Sequence, residues 1–180
     1  MIKLNAKQLR ITEPDFEVKK TFKKNSIYVI LDNVLDTYNV GAIFRLADAV
    51  AAEKVYLCGQ TLTPPNHKIK KASVNTWQWV DWEYATSAIE AIAQVKSQKS
   101  KVKIIAVEQD KRSVPFYKAK FEFPLALVVG HESEGVSKDV LDMADAIIEL
   151  PMWGINKSLN VMVSLGIVLY EVMRTVDNEQ

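Results

Sequence analysis

The sequence predicts an α/β fold, a mostly parallel sheet of roughly five or six strands with helices on both faces. Residues 27–31 and 125–129 are short, wholly apolar runs rich in β-branched residues, as expected for strands covered on both faces. Amphipathic segments with helical periodicity, such as residues 85–97, alternate with the apolar runs. A chain of 180 residues is expected to form one domain, residues 1–180.

The amino-acid composition excludes several classes of protein. The chain has one cysteine, Cys58, which excludes an internal disulfide framework and indicates a reducing cytosol. Residues 1–5 do not resemble a secretory signal, and the longest apolar run, residues 159–170, is too short to span a bilayer. The two histidines and the cysteine are too far apart for metal-ligand spacing. We therefore expect a cytoplasmic protein with no membrane segment and no metal site.

Residues 1–25 form a basic amino-terminal arm. The net charge of the whole chain is only +1, so any contact with nucleic acid must come from a local patch of this kind. The arm is either a solvated, partly mobile terminus or a contact with RNA, and the sequence favours neither. Its basic residues outnumber its acidic ones: Lys3, Lys7, Arg10, Lys19, Lys20, Lys23 and Lys24 against Glu13, Asp15 and Glu17.

The middle of the chain predicts further elements. Residues 54–58 and 103–107 fit strands, and the alternation over residues 77–80 predicts a strand as well. The tryptophans there could stack on unpaired bases, but alternating large residues usually pack, so we expect at least two to lie in the core or an interface. The three tryptophans are Trp77, Trp79 and Trp82. A solvated basic turn is expected from His67, Lys68, Lys70 and Lys71.

A polar loop follows the first strand and leads into a helix. Asn39 is a candidate N-cap for this helix, and Gly41 allows another backbone to approach closely. Arg45 lies about a turn and a half beyond Asn39, so both side chains are expected to face the carboxyl end of the strand, where open α/β sheets bind ligands. Taken alone, this pattern is explained better by a helix cap and a surface arginine than by a ligand site.

A second polar stretch follows the strand at residues 125–129. Gly130 and Gly135 flank the acidic residue Glu132, and Ser137 is a candidate N-cap for the next helix. Two glycines around acidic residues also fit a plain strand-to-helix turn. This stretch alone therefore leaves its role open.

A third polar stretch connects the last strand, residues 147–150, to the last helix. Pro151 and Gly154 interrupt the connection, and Ser158 is a candidate N-cap. Asn160 then falls in the first turn of an otherwise apolar helix, where a buried amide without partners costs about 1–3 kcal/mol. For an isolated Ser-x-Asn, satisfying backbone groups at the helix start is the simpler explanation.

Taken together, the three stretches resemble the signature motifs of one family, the SpoU/TrmH branch of the SPOUT methyltransferases. They are NVGAIFRLADA from Asn39, GHESEGVS from Gly130 and PMWGINKSLNV from Pro151, in the family's order and each in a strand–loop–helix context. The resemblance covers roughly residues 27–174. The departures, Ala51, Leu150, Met162 and Ser164, concern packing and leave the polar motif residues intact.

The resemblance implies a fold and a chemistry that periodicity does not show. It implies a carboxyl-terminal trefoil knot, a homodimer, and transfer of a methyl group from S-adenosylmethionine to a ribose 2′-hydroxyl of RNA. Arg45 would be the key catalytic residue. Because a guanidinium is not readily deprotonated, we expect it to position the ribose or phosphate and to stabilise the developing alkoxide. It would be oriented by Asn39, Glu132, Ser158 and Asn160, and the cofactor would be held by Val107, Glu108, Gly130, Leu150, Met152 and Leu159.

The RNA substrate is left open by the sequence. We favour tRNA, with a D-loop guanosine ahead of the anticodon wobble position, and ribosomal RNA is the alternative. A cofactor-free RNA-binding dimer would keep the fold without the reaction, although the intact polar residues of all three motifs argue against it. A base N-methyltransferase of the same superfamily is disfavoured because its motifs differ.

Overall fold

The computed structural model describes residues 3–177 and contains a seven-stranded sheet in which every pair of neighbouring strands is parallel. This confirms the predicted fold class, with more strands than expected. The strands are β1 (Asn25–Asp32), β2 (Ala52–Cys58), β3 (Trp82–Ala85), β4 (Lys103–Val107), β5 (Val114–Pro115), β6 (Leu125–Gly130) and β7 (Ala146–Glu149). Their order across the sheet is β3-β2-β1-β6-β4-β7-β5.

Eight α-helices and one 3₁₀ helix are assigned within the described residues. The α-helices are α1 (Ala6–Leu9), α2 (Phe16–Thr21), α3 (Thr37–Ala49), α4 (His67–Ser73), α5 (Thr76–Trp79), α6 (Ala88–Gln98), α7 (Lys138–Met143) and α8 (Val161–Asp177). The 3₁₀ helix spans Phe116–Lys118. None of the helices in residues 3–177 has the length and apolar character needed to cross a membrane.

The central strands are buried on both faces because helices cover both sides of the sheet. In β1, Ile27, Val29 and Leu31 belong to a core shared with α3, α4 and α8, whereas Tyr28 and Ile30 belong to a second core shared with α6 and α7. All five side chains are at most 1% exposed. Alternate residues of a strand point to opposite faces, so a strand that feeds two cores is apolar throughout.

Helices α3 and α4 approach each other closely at Gly41, as the sequence predicted. A Cβ atom at Gly41 would lie 2.6 Å from Cβ of Ala72 and 2.8 Å from the backbone oxygen of Ile69. Only glycine fits this crossing without moving α4. Helix α8 packs on the same face through Leu165, Val168, Leu169 and Val172, which are fully buried.

Two local predictions were wrong. The residues expected to form a strand after Asn75 are the helix α5, and the expected basic turn is the helix α4, which is capped by the side chain of Asn66. Val74 and Asn75, with φ of 53° and 67°, end α4 and redirect the chain into α5. Short alternating apolar runs do not separate strand from helix. The packing prediction is confirmed, since Trp77 and Trp82 pack against the core that includes α3.

The predicted helix caps also need correction. Asp36, not Asn39, is the N-cap of α3, and its carboxylate accepts the Tyr38 N–H. Asn160, not Ser158, caps α8, because its Oδ1 accepts the N–H groups of Met162 and Val163 at 2.9 and 3.4 Å. Ser137 does stand at the N-cap of α7, but its side chain makes no capping bond.

The basic arm folds back onto the domain through helices α1 and α2; its residues 1 and 2 lie outside the described part of the chain. Asn75 donates its amide hydrogens to the backbone oxygens of Leu9 and Arg10, at 3.3 and 3.1 Å. Lys19 and Lys24 both form ion pairs with Asp81. Two of the seven arm cations are thus neutralised by the protein itself.

Candidate active site

A cavity of about 580 Å³ opens at the carboxyl ends of β4, β6 and β7. It lies outside the carboxyl ends of the strands, the usual ligand site of an open parallel sheet. All six residues predicted to hold a cofactor line it: Val107, Glu108, Gly130, Leu150, Met152 and Leu159. Glu132, Ser158 and Asn160, predicted to assist catalysis, also line it.

The wall next to β6 is a loop, residues 131–135, that doubles back on the strand. His131 and Gly135 exchange two backbone hydrogen bonds, of 3.0 and 2.9 Å. A Cβ atom on Gly130 would overlap the backbone of Gly135. Glycine is required at Gly130 because the loop folds over it, and Gly135, with φ of 72°, adopts a conformation that glycine favours.

Glu108 braces the same loop from β4. Its Oε2 accepts the Val136 N–H and its Oε1 accepts the Gln109 N–H, both at 2.8 Å. A Cβ atom on Gly135 would overlap this carboxylate, which shows how closely the two segments meet. The carboxylate of Glu108 therefore shapes the cavity wall by holding backbone groups.

A chain of hydrogen bonds joins the three sequence motifs. Nδ2 of Asn160 donates to Oδ1 of Asn39, and Nδ2 of Asn39 donates to Oε1 of Glu132, both at 3.0 Å. Glu132 also accepts the backbone N–H groups of Leu35 and Asp36, at 3.1 and 3.0 Å. Asn39 is 6% exposed, so its amide is buried with both ends satisfied. Asn39 thus lies behind the cavity and positions the two residues that line it.

The environment of Glu132 favours its ionised form. Partial burial raises the pKa of this carboxyl, but the hydrogen bonds from Asn39 and from the backbone of Asp36 and Leu35 outweigh burial, so the net pKa lies below its ordinary value. A charged carboxylate can accept all of these bonds at once. Glu132 is therefore a fixed negative charge at the cavity edge at neutral pH.

Ser158 lies in the loop between β7 and α8. Its N–H and carbonyl oxygen pair with the side chain of Asn156, at 3.3 and 2.8 Å. The neighbouring carbonyl of Lys157 accepts a hydrogen bond from Gln109, so this loop is tied to the one that follows β4. Loops after two adjacent strands are thereby held together over the cavity.

Arg45 does not join the other predicted residues. It is exposed on α3, does not line the cavity, and has no hydrogen bond or ion pair with any described residue. One chain therefore brings together every predicted site residue except this arginine.

A model of the SpoU rRNA Methylase family matches residues 26–170, most of the chain. The chain belongs to the SpoU methylase family.

Two relatives of this SpoU protein differ in their substrates. It is 33% identical over 158 residues to the tRNA (guanosine(18)-2′-O)-methyltransferase of Aquifex aeolicus, covering 84% of this chain and 71% of the relative. It is 30% identical over 148 residues to the 23S rRNA (guanosine-2′-O-)-methyltransferase RlmB of Ralstonia nicotianae, covering 82% of this chain and 58% of the relative. The chain thus spans little more than half of that second relative.

Two solved structures of RNA-modifying enzymes share the fold. The A. aeolicus TrmH/SpoU tRNA modifying enzyme superposes with a TM-score of 0.77 at 31% identity, over 97% of this chain and 83% of that one. An AdoMet-bound rRNA methyltransferase from Sinorhizobium meliloti gives a TM-score of 0.76 at 27% identity, over 93% of this chain and 60% of that one.

The lining of the SpoU cavity fits S-adenosylmethionine, which combines an adenosine, a cationic sulfonium and an amino acid. Apolar side chains from all three strand ends offer contacts for the adenine ring, and carboxylates offer charges opposite to the sulfonium and ammonium groups. The apolar side chains are Val107, Val129, Leu150 and Met152, and the carboxylates include those of Glu132, Glu134 and Glu149. No metal-binding cluster of His, Cys, Asp or Glu occurs among residues 3–177.

Sequence reasoning missed two site residues. Asp32, 3% exposed at the end of β1, accepts the Ser137 N–H at 2.9 Å and so holds the far end of the β6 loop. His131 accepts two backbone N–H groups within that loop. The position of Asp32 directly at the end of a buried strand is a signal that the sequence offers. No sequence signal indicates the role of His131, because that role depends on the shape of the loop.

Proposed function

We propose that this chain methylates the ribose 2′-hydroxyl of a guanosine in the D-loop of tRNA, in the cytoplasm. As a SpoU methylase it is an RNA 2′-O-methyltransferase that uses S-adenosylmethionine. The choice of tRNA rests on the relatives, because the tRNA enzyme of Aquifex aeolicus is 33% identical to this chain and the ribosomal RNA enzyme of Ralstonia nicotianae is 30% identical. Ribosomal RNA is the alternative substrate.

The observation that carries the proposal is the hydrogen-bond chain from Asn160 through Asn39 to Glu132 beside the cavity. When bound, S-adenosylmethionine supplies an electrophilic methyl group. The protein then has to hold the hydroxyl close to that carbon and to stabilise the charge that develops on its oxygen. Ser158 and Asn160, on a loop tied across the cavity, are placed to orient the nucleotide.

Arg45 is assigned the task of stabilising the developing alkoxide, and it acts from a second copy of the chain. In its own chain it does not line the cavity. Helix α8 exposes an apolar stripe, Val163, Ile167 and Tyr170, which are 40%, 39% and 59% exposed. Burying this stripe in a homodimer would remove apolar surface from water, and α3 lies beside α8. We propose that a dimer through this face places Arg45 of α3 at the partner's cavity.

RNA is proposed to contact the basic arm and α4 together. The end of α1 lies beside the end of α4, because Asn75, which follows α4, holds the backbone of Leu9 and Arg10. Helix α4 adds exposed lysines that form no ion pair with the described residues, namely Lys68, Lys70 and Lys71. Helix α4 follows the carboxyl end of β2, at the same edge of the sheet as the cavity. A phosphate backbone bound there would lead towards the cavity.

Two measurements test the proposal. Titrating the purified protein with S-adenosylmethionine by calorimetry separates the enzyme from a cofactor-free RNA-binding dimer, which would give no heat. Mass spectrometry of tRNA and ribosomal RNA from cells with and without the protein then locates the methyl group. A ribose methyl on a tRNA D-loop guanosine is expected. A methyl group on ribosomal RNA or on a base would overturn the proposed substrate.

A further inference from the structure

The imidazole ring of His131 closes the loop that carries Glu132. Nδ1 of His131 accepts the N–H of Ser133 at 3.0 Å and the N–H of Glu134 at 3.2 Å. These are the second and third residues after the histidine, the spacing at which an Asn or Asp side chain closes an Asx turn. The ring therefore satisfies two backbone donors that the turn would otherwise leave without a partner in the described structure.

These two contacts require one particular form of the ring. An imidazole nitrogen accepts a hydrogen bond only when it carries no proton, so the contacts are compatible only with a ring whose proton is on Nε2. The imidazolium form has donors at both nitrogens and no acceptor. Protonation would turn two attractive contacts at Nδ1 into contacts between donors, and the turn would open.

The turn forms part of the cavity wall. Its five residues, 131–135, all line the cavity, and the carboxylate of Glu132 projects from its middle. Opening the turn would shift Glu132 away from Asn39 and loosen the backbone over Gly130. The charge on one ring is thereby coupled to the shape of the cofactor site.

We propose that His131 is a positioning residue that holds the cofactor cavity closed only in its neutral form, so that acidification weakens cofactor binding. The proposal rests on the proposed function, because it takes the cavity to be the cofactor site. It assigns His131 no contact with the reacting atoms.

Other charged groups share the cavity and must be separated from His131. They are the carboxylates of Glu108, Glu132, Glu134 and Glu149 and the ammonium group of Lys157. A substitution that leaves all of them in place, and replaces only the ring, isolates its contribution. His131→Asn does this, because Oδ1 of asparagine can accept the same two N–H groups but does not titrate.

Calorimetric titration with S-adenosylhomocysteine, the demethylated product, at about pH 8 and about pH 5.5 spans the range in which histidines ordinarily ionise. We expect the unmodified protein to bind the product about tenfold more weakly at the lower pH. This is the size of effect that the loss of about one net hydrogen bond produces. His131→Asn should bind as tightly as the unmodified protein at about pH 8 and lose this drop. His131→Ala should bind weakly at both. Equal pH dependence in the unmodified protein and His131→Asn would overturn the proposal.

A second measurement needs no cofactor. The chain has only two histidines, and His67, exposed at the start of α4, serves as the internal reference. Long-range ¹H–¹⁵N NMR spectra of the free protein should show His131 with its proton on Nε2 near neutral pH. A ring protonated on Nδ1 would overturn the proposal even if the variants fail to fold. If the unmodified protein binds no product at either pH while the tautomer is as expected, the proposed function fails instead.

Discussion

The carboxylate of Glu132 organises its surroundings by accepting three hydrogen bonds from two parts of the chain. Two come from the backbone before α3 and one from Asn39. Because these donors favour the charged form, the pKa of Glu132 is lowered despite partial burial. Because the pKa is lower in the folded state, ionised Glu132 stabilises the fold at pH values above the ordinary glutamate pKa. This stabilisation is lost as the pH falls through the folded pKa.

Glu132→Gln should therefore destabilise the protein at neutral pH and much less in acid. The amide keeps one acceptor oxygen for three donors, and the loss should be on the order of 1 kcal/mol. As the pH falls through the lowered folded pKa, the unmodified side chain is itself protonated, so the difference should shrink. Urea unfolding at neutral pH and at acidic pH measures this difference. Glu134→Gln, in the same loop but with no hydrogen bond from a described residue to its carboxylate, is the control. An undiminished difference in acid would refute this assignment.

Arg45→Ala should lower the single-turnover rate by about 10²–10³ and leave cofactor affinity nearly unchanged. The arginine does not line the cavity of its own chain, so its loss removes charge stabilisation and not a cofactor contact. Arg45→Lys should restore little, because a point charge does not reproduce a planar fork. Arg174→Ala, a surface arginine bound to Glu171, is the control. A near-normal rate for Arg45→Ala would end the catalytic assignment.

A mixed dimer decides whether Arg45 acts across the interface. One subunit carries Arg45→Ala and an intact cavity, and the other carries Gly130→Val, whose side chain would overlap Gly135. Purification through two different tags isolates this dimer. Activity is expected, because the intact arginine can reach the partner's intact cavity. An inactive mixed dimer would mean that Arg45 serves its own subunit.

The sequence predicted that most of the motif side chains would lie together, but it predicted their contacts less well where local rules compete. Asn39 stands in the motif as expected, yet it does not cap its helix, because Asp36 three residues earlier takes that position. Its actual partners, Glu132 and Asn160, are 93 and 121 residues away. No local rule predicts such contacts, which arise only when the loops after different strands meet at one edge of the sheet.

At the scale of secondary structure, the long, strongly patterned elements were predictable and the short ones were not. Residues 27–31 and 125–129 are strands, as their apolar runs indicated. Strand β5 has two residues and helix α5 has four, too few for a period to be recognised. The direction of α5 is set by the left-handed conformations of Val74 and Asn75 just before it, and residue propensities do not predict these conformations.

Helix α8 carries the prediction for dimerisation. Ile167→Glu places a charge in the middle of its exposed apolar stripe, so it should dissociate the homodimer while leaving the fold intact. Sedimentation at micromolar concentration should give about twice the chain mass of 20.3 kDa for the unmodified protein and one chain mass for the variant. Leu62→Glu, at an exposed leucine outside this stripe, should stay dimeric. A monomeric, fully active unmodified protein would contradict both the interface and the role of Arg45 across it.

Over the whole molecule, the cavity is a consequence of strand order. Strand β4 lies between β6 and β7, so the carboxyl ends of these three strands are neighbours although they are distant in sequence. Alternating strands and helices predicted a parallel sheet but not this order, because many orders satisfy the same alternation. The expected trefoil knot came from the family resemblance alone, and it stays a prediction.

Exposed lysines lie on both faces of the sheet. The salt dependence of RNA binding tests which of these lysines contact RNA. Replacing Lys68, Lys70 and Lys71 with Gln should weaken RNA binding and reduce the slope of log K against log salt by about 2–3, since each phosphate contact contributes about 0.7–0.9. Filter binding across a salt series measures the slope. The control replaces Lys96, Lys99 and Lys101 with Gln, the same change in net charge at the end of α6 on the opposite face of the sheet. If both triple variants lower the slope equally, the attraction belongs to the overall charge and not to α4.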